Sequence, residues 1–141
     1  MKMIRISTEN EISVHEFPKG SYSEQNKVLR ELIGPQCNLY EHVMPKRLYT
    51  ELGASNHVSR KNGACVSMLM DEEACYHDLE DNLVGSWLYG ADIHGNAIRG
   101  NILFVGEAYS EDGIDFCGLA DDQFAMLFPK LKELAEKARD F

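Results

Sequence analysis

Five histidines and four cysteines are the residues best suited to chemistry in this chain of 141 residues, and their spacing limits what they can do. His15, His42, His57, His77 and His94 form no HxxxH or HExxH pair that would set two imidazoles on one helical face. Cys37, Cys65, Cys75 and Cys117 lie 28, 10 and 42 residues apart, without the CxxC spacing of zinc and redox sites. Cys75-Tyr76-His77 offers two metal ligands on one side of an extended segment, and Asp71, Glu72 and Asp78 add oxygen donors. A lone CxH reads better as a reduced thiol beside a surface histidine, and the acidic stretch lacks the glycine-centred ligand order of a calcium loop. No metal or cofactor is therefore expected, and Asp71-Glu72-Glu73 is expected to be a solvated acidic loop.

Nucleophilic catalysis needs a nucleophile, a base and an oxyanion site. Gly85-Ser86-Trp87 lacks the second glycine of a nucleophile elbow, and Cys117 reads as a packed thiol. Neither GxxxxGK[ST] nor GxGxxG occurs. What remains is Arg60-Lys61-Asn62-Gly63, with Lys46-Arg47 upstream, where two cations and the amides around Gly63 could hold a nucleotide-like phosphate. The plainer reading is a solvated loop. Trp87 and Tyr89, with Tyr76 nearby, could form an aromatic ligand face, against ordinary packing in the core. Arg60, Lys61, Trp87 and Tyr89 are the candidate ligand-binding residues. Basic residues are not interleaved with aromatics, so direct nucleic-acid binding is not expected.

The elements that must position these residues follow from hydrophobic period. Met3-Ile4-Arg5-Ile6-Ser7 and Ile12-Ser13-Val14-His15-Glu16-Phe17 alternate around Glu9-Asn10-Glu11, predicting a β-hairpin. Val28, Leu29, Leu32 and Ile33 share one helical face over residues 23–33, with Ser21 or Ser23 to cap the start and Gly34-Pro35 to stop the end. Residues 36–44 read as a third strand, 46–63 as a short helical turn followed by a loop, and 65–70 as a fourth strand. Residues 82–89 read as a short strand or helical turn. Asn101 to Gly106 is apolar throughout, which predicts a central strand buried on both faces. Ser110 to Gly118 reads as a loop. Residues 121–139 have helical spacing, and Pro129 should kink that helix or split it in two. The expected fold is a single α+β domain over residues 1–141, with a sheet of about five strands and the helices laid on one face.

Hydrophobic residues make up 44% of the chain and charged residues 26%, the mixture of a domain that folds alone. The N-terminus has no signal-type apolar region and no segment approaches a membrane span, so a cytoplasmic protein with reduced thiols is expected. Met1 to Met70 carries 9 Lys/Arg and 7 Asp/Glu, whereas Asp71 to Phe141 carries 5 and 16. A field confined to one half of the chain disfavours nucleic-acid phosphates there and attracts a basic partner.

The string Gly100-Asn101-Ile102-Leu103-Phe104-Val105-Gly106, followed by Gly113-Ile114-Asp115-Phe116-Cys117-Gly118-Leu119 and Asp121-Asp122-Gln123-Phe124, resembles a domain-of-unknown-function family, numbered 3846. That family has a strand ending in Val-Gly, a loop with Asp-Phe before a Ser/Gly-Leu pair, and a helix opening Asp-Glu-Gln. The N-terminal strand, the helix ending Leu32-Ile33-Gly34 and the strand after it fit the family's start, and Asn82 and Gly85 fall where its middle section runs. The resemblance implies a phage, plasmid or other mobile-element setting in a bacterial host, and it supplies no catalytic residues. Together these readings lead to the expectation of a non-enzymatic binding protein. It would counter host defence by sequestering a nucleotide signal near Arg60, Lys61 and Trp87, or by acidic mimicry of nucleic acid. The alternatives are a small hydrolase, which would set His77 or His94 beside a carboxylate in a closed pocket, and an assembly protein.

Overall fold

A computed structural model describes residues 1–141. Alternation at the N-terminus produces the hairpin of β1 (Lys2–Ile6) and β2 (Ile12–Glu16), turned at Asn10, whose φ of 62° is the left-handed conformation that asparagine tolerates. Helix α1 (Tyr22–Ile33) starts at Ser21, whose hydroxyl accepts from the Glu24 amide at 3.2 Å. There follow β3 (Tyr40–Val43), α2 (Lys46–Thr50) and β4 (Val66–Asp71). Then come α3 (Leu83–Tyr89), α4 (Ala91–His94), β5 (Ile102–Ser110), β6 (Gly113–Cys117) and α5 (Asp121–Ala138).

The six strands form one antiparallel sheet in the order β2-β1-β5-β4-β3, and β6 continues beyond β1 along the same edge of β5. Strand β5 is central, as its unbroken apolar run predicts. Ile4 faces Phe104 on one side and Met68 faces Phe104 on the other.

Helices cover both faces of this sheet rather than one. Ile4, Ile6, Met68, Ile102 and Phe104 pack beneath Leu48 of α2, Leu88 of α3 and Leu127 and Leu131 of α5. Met3, Leu69, Leu103 and Val105 point the opposite way and pack beneath Leu29 and Ile33 of α1. Successive strand residues alternate between these two cores, which explains why β4 and β5 lack a polar face along most of their length. Burying each of these large side chains stabilises the fold by about 1.5–3 kcal/mol.

Two local expectations change and two are narrowed. The third strand is only four residues long, because the chain turns at Pro35-Gln36 and joins the sheet at Tyr40. Residues 83–89 are a helix, capped by the Asn82 side chain and ended by Gly90 at φ 89°. Residues 113–117 are a strand rather than a loop: Ser110 pairs with Gly113 across a two-residue turn, and β5 runs three residues past its apolar core to make the hairpin. Helix α5 is continuous through Pro129 and is not split in two. Pro129 and Ala125, whose carbonyl the proline leaves without an amide partner, are both exposed, so water takes the acceptor.

The loop after α2 crosses the sheet at a point of close backbone contact. A Cβ on Gly106 would stand 2.4 Å from the Gly63 Cα and 2.5 Å from the Gly118 oxygen. Only glycine fits there, and Gly63 itself has φ 79°.

Candidate functional site

The residues singled out in the sequence do not converge. Arg60 and Lys61 sit on the exposed loop before Gly63, and Lys61 Nζ lies 3.6 Å from Asp122 in the first turn of α5. The nearby amides are already engaged: Gly63 donates to the Glu107 carbonyl at 3.0 Å, Ala64 to Lys61 at 3.2 Å, and Lys61 to the Ser59 hydroxyl at 3.1 Å. No ring of amides is left to cradle a phosphate. Trp87 lies against Leu134, Lys137 and Ala138 at the other end of α5. At 1.5 Å per residue, the helix between Asp122 and Lys137 is about 22 Å long.

Trp87 and Tyr89 also part company. They are 38% and 39% exposed, so neither is the core residue that plain packing predicts. The cation on the indole is Arg47, 5.0 Å from the ring centroid, which donates to the Trp87 carbonyl at 2.8 Å and to both Asp92 oxygens at 2.6 and 3.0 Å. That guanidinium holds the Asp92 carboxyl below the usual carboxylate range. Tyr89 instead meets the His94 ring edge-on at 4.9 Å and lines a separate cleft with Glu41, Met70 and Arg99. Tyr76 is 87% exposed and joins neither.

What Trp87 does build is an open apolar groove of about 390 Å³ between α3 and the C-terminal turns of α5. Leu83, Val84 and Trp87 form one wall and Leu134, Ala138 and Phe141 the other. Leu83 is 43% exposed and Phe141 fully so. Lys137 is the one charged residue lining it, and it is paired with Glu133 at 3.1 Å. Glu136 in α5 and Asp140 just after it are exposed and pair with no cation of the protein, whereas Glu80 lines a different cleft with Ile33 and Gln36. The groove therefore exposes large hydrophobic side chains beside a helix end of mixed charge, where Lys132, Lys137 and Arg139 stand among Glu133, Glu136 and Asp140.

Two polar clusters lie under the sheet's α1 face at opposite ends of β4. At one end the Ser67 hydroxyl donates to Glu107 Oε1 at 2.7 Å, and His42 Nε2 lies 2.7 Å from the Ser67 oxygen and 3.2 Å from Glu107. The Phe116 ring covers the imidazole at 5.4 Å. A serine activated for attack gives its proton to histidine; here the proton points at the carboxylate, and Ser67 is fully buried. The arrangement is a hydrogen-bonded relay from a half-exposed imidazole to a buried carboxylate. Neighbouring Cys65 is buried, and burial together with its hydrogen bond to Glu107 pushes its thiol up to about 12. The signal in the sequence was a lone glutamate following an apolar strand, with Cys65 and Ser67 sharing one face of its neighbour.

At the other end, Asp71 is fully buried, contrary to its expected place in a solvated loop. It accepts from Gln36 Nε2 at 3.1 Å, from the Glu73 amide at 2.9 Å and from His77 Nδ1 at 2.8 Å, which together tie the 71–79 turn to the chain after α1. His77 thus stands beside a carboxylate, but it lines no cavity. His94 Nε2 is bound to the Tyr89 carbonyl at 2.8 Å. The four cysteines are unbridged, and no group of three or more His, Cys, Asp or Glu side chains is placed to hold a metal ion. No helix is long and apolar enough to cross a membrane.

The chain is an α+β domain with an open apolar groove between α3 and α5. No family model, curated protein or solved structure matches the chain.

Proposed function

We propose that the chain is a binding protein without catalytic activity, carried by a phage or other mobile element and acting in the bacterial cytoplasm, where it counters host defence by occupying a basic surface of a host protein. The observation that carries this reading is the groove between α3 and α5. It offers a partner an apolar slot with room for one or two large side chains, while the unpaired carboxylates of Glu136 and Asp140 lie outside it. Interfaces are commonly organised in this way, with an apolar centre giving most of the affinity and charge at the rim giving specificity and rate. The mobile-element setting rests on the resemblance carried by residues 100–124. Mimicry of nucleic acid is supported by the excess of carboxylates after Met70.

Affinity capture from a bacterial host, with the wild-type chain beside Leu83→Asp, tests the reading. Leu83 is exposed in the first turn of α3, where an aspartate suits the helix dipole, so the variant keeps its fold. A basic host protein retained by the wild type, lost with the variant and released as salt rises from 50 to 300 mM is the expected result. Equal retention by both proteins would overturn the groove as the binding surface.

A further inference from the structure

A second cleft, on the opposite side of the sheet from the groove, has a different chemistry. It measures about 250 Å³ and lies between α1, the start of β3 and β6. Tyr22, Asn26 and Arg30 recur every fourth residue along α1 and so form one stripe facing it. Tyr40 and Phe116 face them from the sheet, with their rings edge to face at 6.3 Å.

Three features of this cleft are unexplained by packing. Arg30 is half-buried, yet its guanidinium has no ion pair and no hydrogen bond; Arg5, Arg47, Arg99 and Arg139 all have one, and the other unpaired arginine, Arg60, is exposed. Tyr22 is 67% exposed although it begins the helix beside other aromatic rings. The Tyr40 hydroxyl donates to Asn26 Oδ1, which fixes that amide and leaves its NH2 group to donate elsewhere. Burial pushes the Tyr40 hydroxyl up to about 12, so it stays a donor across the physiological range.

We infer that this cleft binds a small ligand with a flat heteroaromatic ring and a phosphate, namely a nucleoside monophosphate or a longer nucleotide built on one. A guanidinium fork matches phosphate oxygens two at a time, and an unpaired one beside aromatic rings has no stronger candidate partner. The exposed face of Tyr22 and the edge of Phe116 supply a stacking surface for the base. Asn26 supplies an amide to its edge. From Tyr22 to Arg30 the helix advances about 12 Å, the order of length of a nucleotide from base to phosphate. This site stands independently of the groove, and it puts nucleotide recognition at Arg30 and Tyr22 rather than at Arg60, Lys61 and Trp87.

The test is an NMR titration of the labelled full chain with the four ribonucleoside monophosphates, with their nucleosides, with inorganic phosphate and with a pentanucleotide. At least one monophosphate should shift the amides of residues 22–30, 40 and 113–117 at sub-millimolar concentration. Its affinity should exceed that of its nucleoside and of inorganic phosphate by tenfold or more. Arg30→Gln and Tyr22→Ala alter side chains outside both cores, and each should weaken binding at least tenfold with thermal unfolding unchanged. The inference is overturned if no monophosphate shifts these amides at millimolar concentration. Equal binding of inorganic phosphate, binding of the pentanucleotide alone, or undiminished binding by Arg30→Gln overturns it too.

Discussion

Replacing Asn82 is the most severe change of a single polar side chain that this structure predicts. Asn82 is fully buried where α3 meets the ends of β1 and β5. Its Nδ2 donates to the Ile6 carbonyl at 3.1 Å and to the Gly100 carbonyl at 3.0 Å, while its Oδ1 accepts from the Gly85 amide at 3.0 Å and caps α3. Alanine leaves all three backbone groups without these partners. With about 1–3 kcal/mol for each buried polar group left unsatisfied, partly relieved by water, the loss is about 3–5 kcal/mol. That is a large share of the ~5–15 kcal/mol that holds a domain of this size together. Asn82→Asp discriminates between the roles. It keeps the capping oxygen, and aspartate is as good a cap as asparagine. It also turns a paired donor into an acceptor facing two carbonyls. We expect Asn82→Asp at neutral pH to be at least as damaging as Asn82→Ala. The assay is urea unfolding followed by the fluorescence of Trp87, the one tryptophan, and by far-ultraviolet circular dichroism, with the m value compared across variants. An Asn82→Asp protein within about 1 kcal/mol of wild type at unchanged m would refute the reasoning, because the two donated bonds would then contribute nothing.

Pro129→Ala should stabilise the protein by about 1–3 kcal/mol, since α5 is already continuous through this exposed position and alanine restores the missing amide; a lower melting temperature would contradict this reading of α5. Alkylation at pH 8 should modify the exposed Cys75 in the folded protein and spare Cys37, Cys65 and Cys117. Burial raises the Cys37 thiol to about 11 and, with Glu107, the Cys65 thiol to about 12, and it raises Cys117 as well, so thiolate is scarce at all three. Peptide mapping by mass spectrometry reads the result, and modification of Cys65 as rapid as that of Cys75 would contradict it.

The strands and the first helix were legible because one-sided burial writes its period into the residues. Val28, Leu29, Leu32 and Ile33 could only be a helix face, and the unbroken run at 102–105 could only be buried on both sides. That second inference already implied helices on both faces of the sheet, since a strand cannot be doubly buried under a single layer. Strand β6 escaped because the first three of its five residues are exposed and the other two only partly buried: it is an edge paired with the overhang of β5, and an edge buries too little to leave a pattern. Helix α3 was ambiguous because seven residues span barely two turns, and its decisive feature, the Asn82 cap, depends on carbonyls from Ile6 and Gly100 that are distant in sequence. The candidate sites were legible only in part. Trp87 was found, but its partners Leu134 and Phe141 come from the last helix and beyond. Arg30, Tyr22 and Phe116 carried no motif at all, because three elements bring them together. Asp71 was misread because its charge suggested water, whereas His77, Gln36 and a backbone amide solvate it inside the fold.

On the proposed reading, a basic partner docks in the groove between α3 and α5. Photo-crosslinking tests it most directly, with a photoreactive side chain at Leu83 or Leu134 in the groove and, as a control, at Glu16 on β2, expressed in a bacterial host. The account predicts one basic protein crosslinked from Leu83 and Leu134, competed away by the unmodified chain and diminished by salt. Crosslinks equally strong from Glu16, or none from the groove under conditions where the protein is folded, would contradict it.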